Sequence, residues 1–146
     1  MIPSGIFVVT TARGSVRAAY VGSWLQQAAF EPPAITIAMN KHRPLLALLE
    51  PGSGLGVNIL GRRQAALYAR FERGFGLDED PFVGEAVMTA VTGVPLLEEA
   101  FAYVDCRVQT MVDAGDHMVI LAEVLAGAVQ QTGEPMTYTR RSGFTY

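Results

Sequence analysis

Two apolar segments joined by a polar turn, residues 103–112 and 117–129, most constrain what this chain can fold into. In residues 103–112 apolar and polar side chains alternate, which puts Val104, Cys106, Val108 and then Thr110 on one face of a strand. Asp113-Ala114-Gly115-Asp116 has turn chemistry, and residues 117–129 form a long apolar strand returning antiparallel to the first. Such a hairpin needs further strands to cover it, and the chain offers them. Residues 6–11 are largely β-branched, Ala12-Arg13-Gly14-Ser15 is a turn, and residues 16–24 read as a second strand. Residues 34–39, 56–60 and 87–92 follow as strands, and residues 136–141 as a last short one.

Helical signals are fewer. Residues 44–50 read as a short helix with proline in its first turn, stopped by Pro51-Gly52. Residues 63–73 carry a helical apolar face of Ala65, Ala66, Leu67, Ala69 and Phe71 interleaved with arginines, closed by Gly74-Phe75-Gly76. An acidic loop at 77–82 is expected to tuck its aromatics back onto the body, and residues 95–102 fit either a helical turn or a bulged approach to the next strand. About seven short strands with two helices indicate a mainly β chain, a β-barrel with helical excursions. Closure would also remove exposed edges in so apolar a chain.

Half of the 146 residues are hydrophobic and 17% are charged, which excludes disorder and implies a large core or an oligomer interface. The length suits a single domain over residues 1–146, able to bury about 68–70% of its unfolded surface. A net charge of -3 argues against a nucleic-acid partner, which requires a basic field. Cys106, the single cysteine, falls in an apolar alternating run and reads as a buried structural thiol in a reducing compartment. Polar residues interrupt every apolar run before the ~18–20 residues of a membrane span, and the chain does not open on a secretory pattern. No membrane association is expected, and the cytoplasm is the expected location.

Gly52-Ser53-Gly54-Leu55-Gly56 has the look of a dinucleotide-binding loop, but it leads into a strand instead of from a strand into a helix. A turn that lets a strand start close to another backbone is the better reading. No ligand spacing joins the two histidines and Cys106, and no nucleophile–base pair can be assembled. That absence fits chemistry carried by a cofactor. Residues 22–40 are the most distinctive stretch: the only Trp, Gln26 and Gln27, the rigid Pro32-Pro33 pair, then an alternating strand ending in Asn40. They read as a polar, proline-stiffened bend that forms a wall. Asn58 lies inside an apolar strand, where a buried amide must bond either neighbouring backbone or a ligand. Arg62, Arg63, Arg70 and Arg73 read as the wet face of a helix or as a phosphate contact across a dimer.

The landmarks come in a recognisable order. Ser4-Gly5-Ile6-Phe7-Val8-Val9-Thr10-Thr11 is followed by the bend from Ser23 to Pro33, then Ala38-Met39-Asn40-Lys41-His42-Arg43 and Val57-Asn58-Ile59-Leu60. Asp80-Pro81-Phe82-Val83-Gly84, Gly93-Val94-Pro95-Leu96-Leu97, the strand from Ala102 to Val108, Gly115-Asp116-His117 and Met136-Thr137-Tyr138 complete the set. This set resembles the flavin reductase-like family of FMN-binding split barrels, which work as homodimers. The bend looks most like that of the reductase module at the C-terminus of cyanobacterial flavodiiron proteins. Gln26, Gln27 and Ala29 stand where stand-alone reductases carry Ser and Thr.

The resemblance implies an NAD(P)H-dependent flavin reductase that transfers hydride from NADH or NADPH to FMN, with FAD the alternative cofactor. The alternative it leaves is a non-catalytic FMN-binding domain that carries electrons or scaffolds a larger flavoprotein. Ser23, Trp24, Leu25, Gln26 and Gln27 would line the flavin, with Ala38, Met39, Asn40 and Lys41 near its polar edge. Arg43 could pair with the phosphate, Asn58 is a candidate contact, and His117 would face the nicotinamide as the catalytic residue. His42 is either a solvated loop residue or a ligand contact. A homodimer and a protein that accepts the reduced flavin are the implied partners.

Overall fold

The computed structural model describes residues 3–138. In chain order it contains β1 (Ser4–Gly5), β2 (Phe7–Arg13), β3 (Val16–Gly22), β4 (Leu25–Phe30), β5 (Pro33–Asn40), a 3₁₀ turn at Pro44–Leu48, β6 (Gly54–Ile59), helix α1 (Ala65–Glu72), β7 (Val87–Met88), β8 (Leu96–Leu97), β9 (Ala102–Ala114), β10 (His117–Val129) and β11 (Thr137–Tyr138). Seven strands form one antiparallel sheet in the order β3-β2-β6-β9-β10-β5-β4, while β1 pairs with β11 and β7 with β8. The hairpin of β9 and β10 is its spine, two strands of thirteen residues paired from Ala114–His117 at the turn to Ala102–Val129.

The edge strands β3 and β4 are consecutive in sequence and separated only by Ser23 and Trp24, so the two edges converge at that corner. One core draws on strands from both sides of the sheet: Ala18 and Tyr20 of β3, Val57 of β6, Cys106 and Val108 of β9, Ile120 and Ala122 of β10, and Ile35, Ile37 and Met39 of β5. A core shared in this way requires the sheet to curl. No ladder joins β3 to β4 among the described residues, so the strand pairing gives a curled sheet with a seam and not a closed ring. A second core lies on the opposite face of β2 and β3, where Val8 and Ala19 meet Leu67 and Phe71 of α1 with Phe82 and Leu97. Side chains alternate along a strand, so β2 sends Phe7 and Val9 to the first core and Val8 to the second. That is why it reads as an unbroken apolar run.

The mainly β architecture with helical excursions stands, and several boundaries move. Residues 24–30 are not simply a bend: Leu25–Phe30 is an edge strand paired with β5, and the prolines lie at the hairpin turn, with a cis Glu31–Pro32 bond. Strand β3 ends at Gly22, before Trp24. Thr110 does not continue the inward face of β9. A bulge opposite Leu121 and Ala122 shifts the register, and Met111 packs on the core instead. Of residues 44–50 only Pro44–Leu48 form a helical element, a 3₁₀ turn, and only Val87 and Met88 of residues 87–92 pair. The 95–102 segment is an approach strand, Leu96–Leu97. The last strand is seen at Thr137–Tyr138, and residues 139–141 lie outside the described residues.

The glycine loop behaves as a close-approach device. A Cβ on Gly56 would run into the Thr10 hydroxyl and the Pro95 carbonyl. Phe82 is buried and its ring lies 6.1 Å from that of Phe71, so the acidic loop does tuck inward. Asn58 is fully buried and its amide is spent on backbone: its nitrogen donates to the Val8 carbonyl at 2.9 Å, and its oxygen accepts from Leu97 N–H at 2.7 Å. Removing one partner of a buried hydrogen bond costs about 1–3 kcal/mol for the group left behind. Asn58→Leu strands two such groups, so urea denaturation is expected to show a loss of about 2–4 kcal/mol. A loss below about 0.5 kcal/mol, the range of an ordinary surface change, contradicts this role.

Candidate functional site

The corner where β4, β5 and β10 meet collects most of the residues singled out from sequence. Strand β10 pairs with β5 so that His117 lies opposite Asn40, Met118 opposite Met39 and Val119 opposite Ala38. Ala38 N–H donates to the Trp24 carbonyl at 2.9 Å, which extends the same row to the chain entering β4. Because successive side chains alternate, Met39 is buried in the core while Ala38 and Asn40 share the outer face with His117 and Trp24. The Trp24 and His117 rings stack with centroids 4.7 Å apart and planes 24° from parallel.

His117 is held by its ring face, stacked on Trp24, and by one ring nitrogen. Nδ1 lies 2.8 Å from Asp116 Oδ1, and the side chain is 19% exposed. The hydrogen bond with His117 holds the Asp116 carboxyl below the usual carboxylate range. With Nδ1 engaged, Nε2 is the ring nitrogen left for a ligand. Lys41 is tied to the turn between β9 and β10. Its N–H donates to the Asp116 carbonyl at 2.9 Å, and its ammonium lies 2.6 Å from the Asp113 carboxylate, whose pKa that bond lowers. Asn40 Oδ1 accepts from His42 N–H at 2.9 Å, so the Asn40 side chain shapes the turn leading to Arg43.

Arg43 lies over the ring of Tyr20 at 5.3 Å and makes no ion pair among the described residues. Tyr20 is 6% exposed, and its hydroxyl has no hydrogen-bond partner among the described residues. Sequence reading missed Tyr20, because a tyrosine in an alternating strand signals packing and nothing more. Of the remaining expected residues, Ser23 is half-buried at the corner, and Gln26 and Gln27 are exposed on β4. Leu25 packs against the core, and Met39 is within it, so both support the corner from beneath. Asn58 is a correction: its amide is consumed between Val8 and Leu97, leaving nothing for a cofactor.

The arginines near α1 are largely committed elsewhere. Arg62 pairs with Glu134 at 2.6 Å, Arg70 with Glu85 at 2.6 Å, and Arg73 with Glu79. A separate cavity of about 500 Å³ opens between residues 61–64 and 131–134, with Phe101 on its wall. Its polar groups are mostly spent, Gln64 and Gln131 both donating to the Glu99 carbonyl. Cys106 is buried, and burial pushes its thiol up to about 12, with the Asp105 charge adding to the shift. It is no nucleophile. Among the described residues no group of three or more His, Cys, Asp or Glu could hold a metal ion, and no helix is long and apolar enough to cross a membrane.

What the corner offers is an aromatic stack with an anchored imidazole, a guanidinium without an ion pair among the described residues, and a buried hydroxyl. Comparison with known proteins gives this arrangement a context. The family described as Flavin reductase like domain matches residues 1–145. Diflavin flavoprotein A 1 of Synechocystis sp. is 33% identical over 148 residues, covering 99% of this chain and 26% of that protein. The chain thus spans about a quarter of the length of the curated relatives it matches. The NADH:FAD oxidoreductase SgcE6 of Streptomyces globisporus superposes with a TM-score of 0.84 at 23% identity, over 97% of this chain and 87% of that one. The styrene monooxygenase flavin reductase of Pseudomonas putida S12 gives 0.77 at 24% identity, over 94% and 86%. Those two structures share the fold. The match along nearly the whole sequence decides the family: this chain belongs to the flavin reductase-like domain family.

Proposed function

We propose that this domain is an NAD(P)H-dependent flavin reductase that holds FMN at the Trp24–His117 corner. The observation that carries the reading is the stacked pair itself, opposite Asn40 on the sheet's outer face, with His117 Nδ1 fixed by Asp116. A flavin needs apolar surface for its ring, hydrogen-bonding groups for its polar edge and positive charge for its phosphate. The chain offers Trp24 and Ala38 for the first, Asn40 and the Ser23 corner for the second, and Arg43 for the third, so the residues present fit the group. Bound there, the flavin supplies the acceptor for the nicotinamide hydride. Trp24 limits how His117 can turn, and Asp116 leaves Nε2 available to orient the nicotinamide amide. Lys41, held by Asp113, contributes positive charge near the corner.

The same reading carries a homodimer. Val112 (56% exposed), Val129 (72%) and Phe30 (92%) leave separate apolar side chains uncovered on β9, β10 and β4, which a two-fold contact would cover. It also carries a cytoplasmic location and a partner that takes the reduced flavin, and it keeps FAD as the alternative cofactor. SgcE6 is itself an NADH:FAD oxidoreductase by name. A second reading, an FMN-binding electron-transfer or scaffold domain, draws support from the chain's spanning a quarter of the diflavin flavoproteins. The likeness of residues 22–33 to the flavodiiron reductase module belongs with it.

Anaerobic mixing with FMN and NADH or NADPH separates the two. Bleaching of the visible flavin band supports the reductase, tight FMN binding without bleaching supports the second reading, and no flavin binding removes both. His117→Ala is expected to lower kcat/KM for the nicotinamide at least about tenfold, equivalent to about 1.4 kcal/mol, with FMN affinity changed less than about threefold. An unchanged kcat/KM argues against a nicotinamide-facing histidine. The acid–base anchor has its own signature. A carboxyl whose folded pKa is depressed keeps its contact above the ordinary value and loses it as pH falls through the lower folded one. Side-chain carboxyl NMR titrations of Asp113 and Asp116 should therefore give midpoints below about 3.9, and Lys41→Met should return Asp113 toward it. Ordinary midpoints in the native protein would mean that neither pair persists in solution.

A further inference from the structure

We infer that Tyr20 is a specificity-determining residue of this site: its phenol donates a hydrogen bond to the terminal phosphate of the bound mononucleotide, beside the guanidinium of Arg43. The inference rests on the flavin reading above and names the phosphate grip, which the sequence left without hydroxyls at Gln26, Gln27 and Ala29.

Three observations converge on it. The Tyr20 hydroxyl is buried without a partner among the described residues, and such a group costs about 1–3 kcal/mol unless something satisfies it. The phenol reaches along β3 toward the flavin corner, because a Cβ built on Gly22 would lie 3.0 Å from its oxygen. Gly22, having no side chain, leaves the space that the phenol oxygen fills where the chain turns into Ser23 and Trp24. Arg43, on the turn that follows β5, lies over the same ring at 5.3 Å and has no carboxylate partner among the described residues.

The chemistry selects the ligand class. Burial raises the Tyr20 pKa, only partly offset by the Arg43 charge, so the phenol stays protonated and acts as a donor. A buried donor next to a guanidinium with no carboxylate partner among the described residues suits an anionic oxygen with further oxygens for the Arg fork, which describes a phosphoryl group. A neutral flavin lacking the phosphate would leave both groups without their acceptor.

The test compares FMN with riboflavin, followed by quenching of flavin or Trp24 fluorescence, in wild type, Tyr20→Phe and Arg43→Gln. Tyr20→Phe keeps the ring and its packing, so the thermal midpoint is expected to hold or rise. It should weaken FMN about tenfold while changing riboflavin by less than about twofold. Arg43→Gln, at an exposed position that does not threaten folding, should show the same split. The double variant should lose less than the product of the two, since both act on one group. Equal weakening of both ligands, or FMN affinity untouched by Tyr20→Phe, overturns the inference. Wild-type protein that binds FMN and riboflavin equally well overturns it too while sparing the flavin reading. Wild-type protein that binds neither ligand rejects the flavin reading and this inference together.

Discussion

The register that sets Met39 opposite Met118 and Ile37 opposite Ile120 also sets Asn40 opposite His117, and the site depends on it. Side chains on a strand have a period of two, so a slip of β10 by one residue would turn His117 into the core and expel Ile120, and a slip of β5 would turn Asn40 inward and expel Ile37 and Met39. Burying one such apolar side chain stabilises by about 1.5–3 kcal/mol. A surface ion pair such as Lys41–Asp113 is open to solvent and contributes far less. The polar residues of the corner are thus held by the apolar residues beneath them, not by their bonds to one another.

Topology supplies the other half of the site. The strands at the two ends of the sheet are neighbours in sequence, and the two residues between them, Ser23 and Trp24, sit where the curled sheet brings its edges together. Trp24 then reaches across Ala38 to His117, which belongs to a strand nearly a hundred residues later. Cys106, which in another setting would be a nucleophile, is instead an inert part of the core. Positioning, charge and aromatic surface are what this chain can supply, which is the contribution a cofactor-dependent site asks of its protein.

Much of the framework was legible in the residues because alternation and turn chemistry agree. The hairpin of β9 and β10 is plain in the pattern Val104, Cys106, Val108 followed by Asp113-Ala114-Gly115-Asp116. Strand β4 was not, since Gln26-Gln27-Ala28-Ala29 has no apolar alternation and pairs only because β5 offers it an edge. The bulge that exchanges Thr110 for Met111 leaves no local mark in the sequence. Asn58 was readable as an amide that must be satisfied, but its acceptor role toward Leu97, thirty-nine residues away, needed the fold. Tyr20 needed it most, because only packing distinguishes a tyrosine whose hydroxyl is stranded from one that is merely buried.

The proposed flavin site is one corner, formed by residues 22–25, 40–43 and 117. Backbone and indole amide NMR spectra recorded during titration with FMN test it most directly. The largest shifts are expected at Gly22, Trp24, Asn40, Arg43 and His117, with Asn58 and the cavity at residues 61–64 and 131–134 nearly unmoved. Shifts concentrated at that cavity or around Asn58, with the Trp24–His117 pair unperturbed, would contradict it.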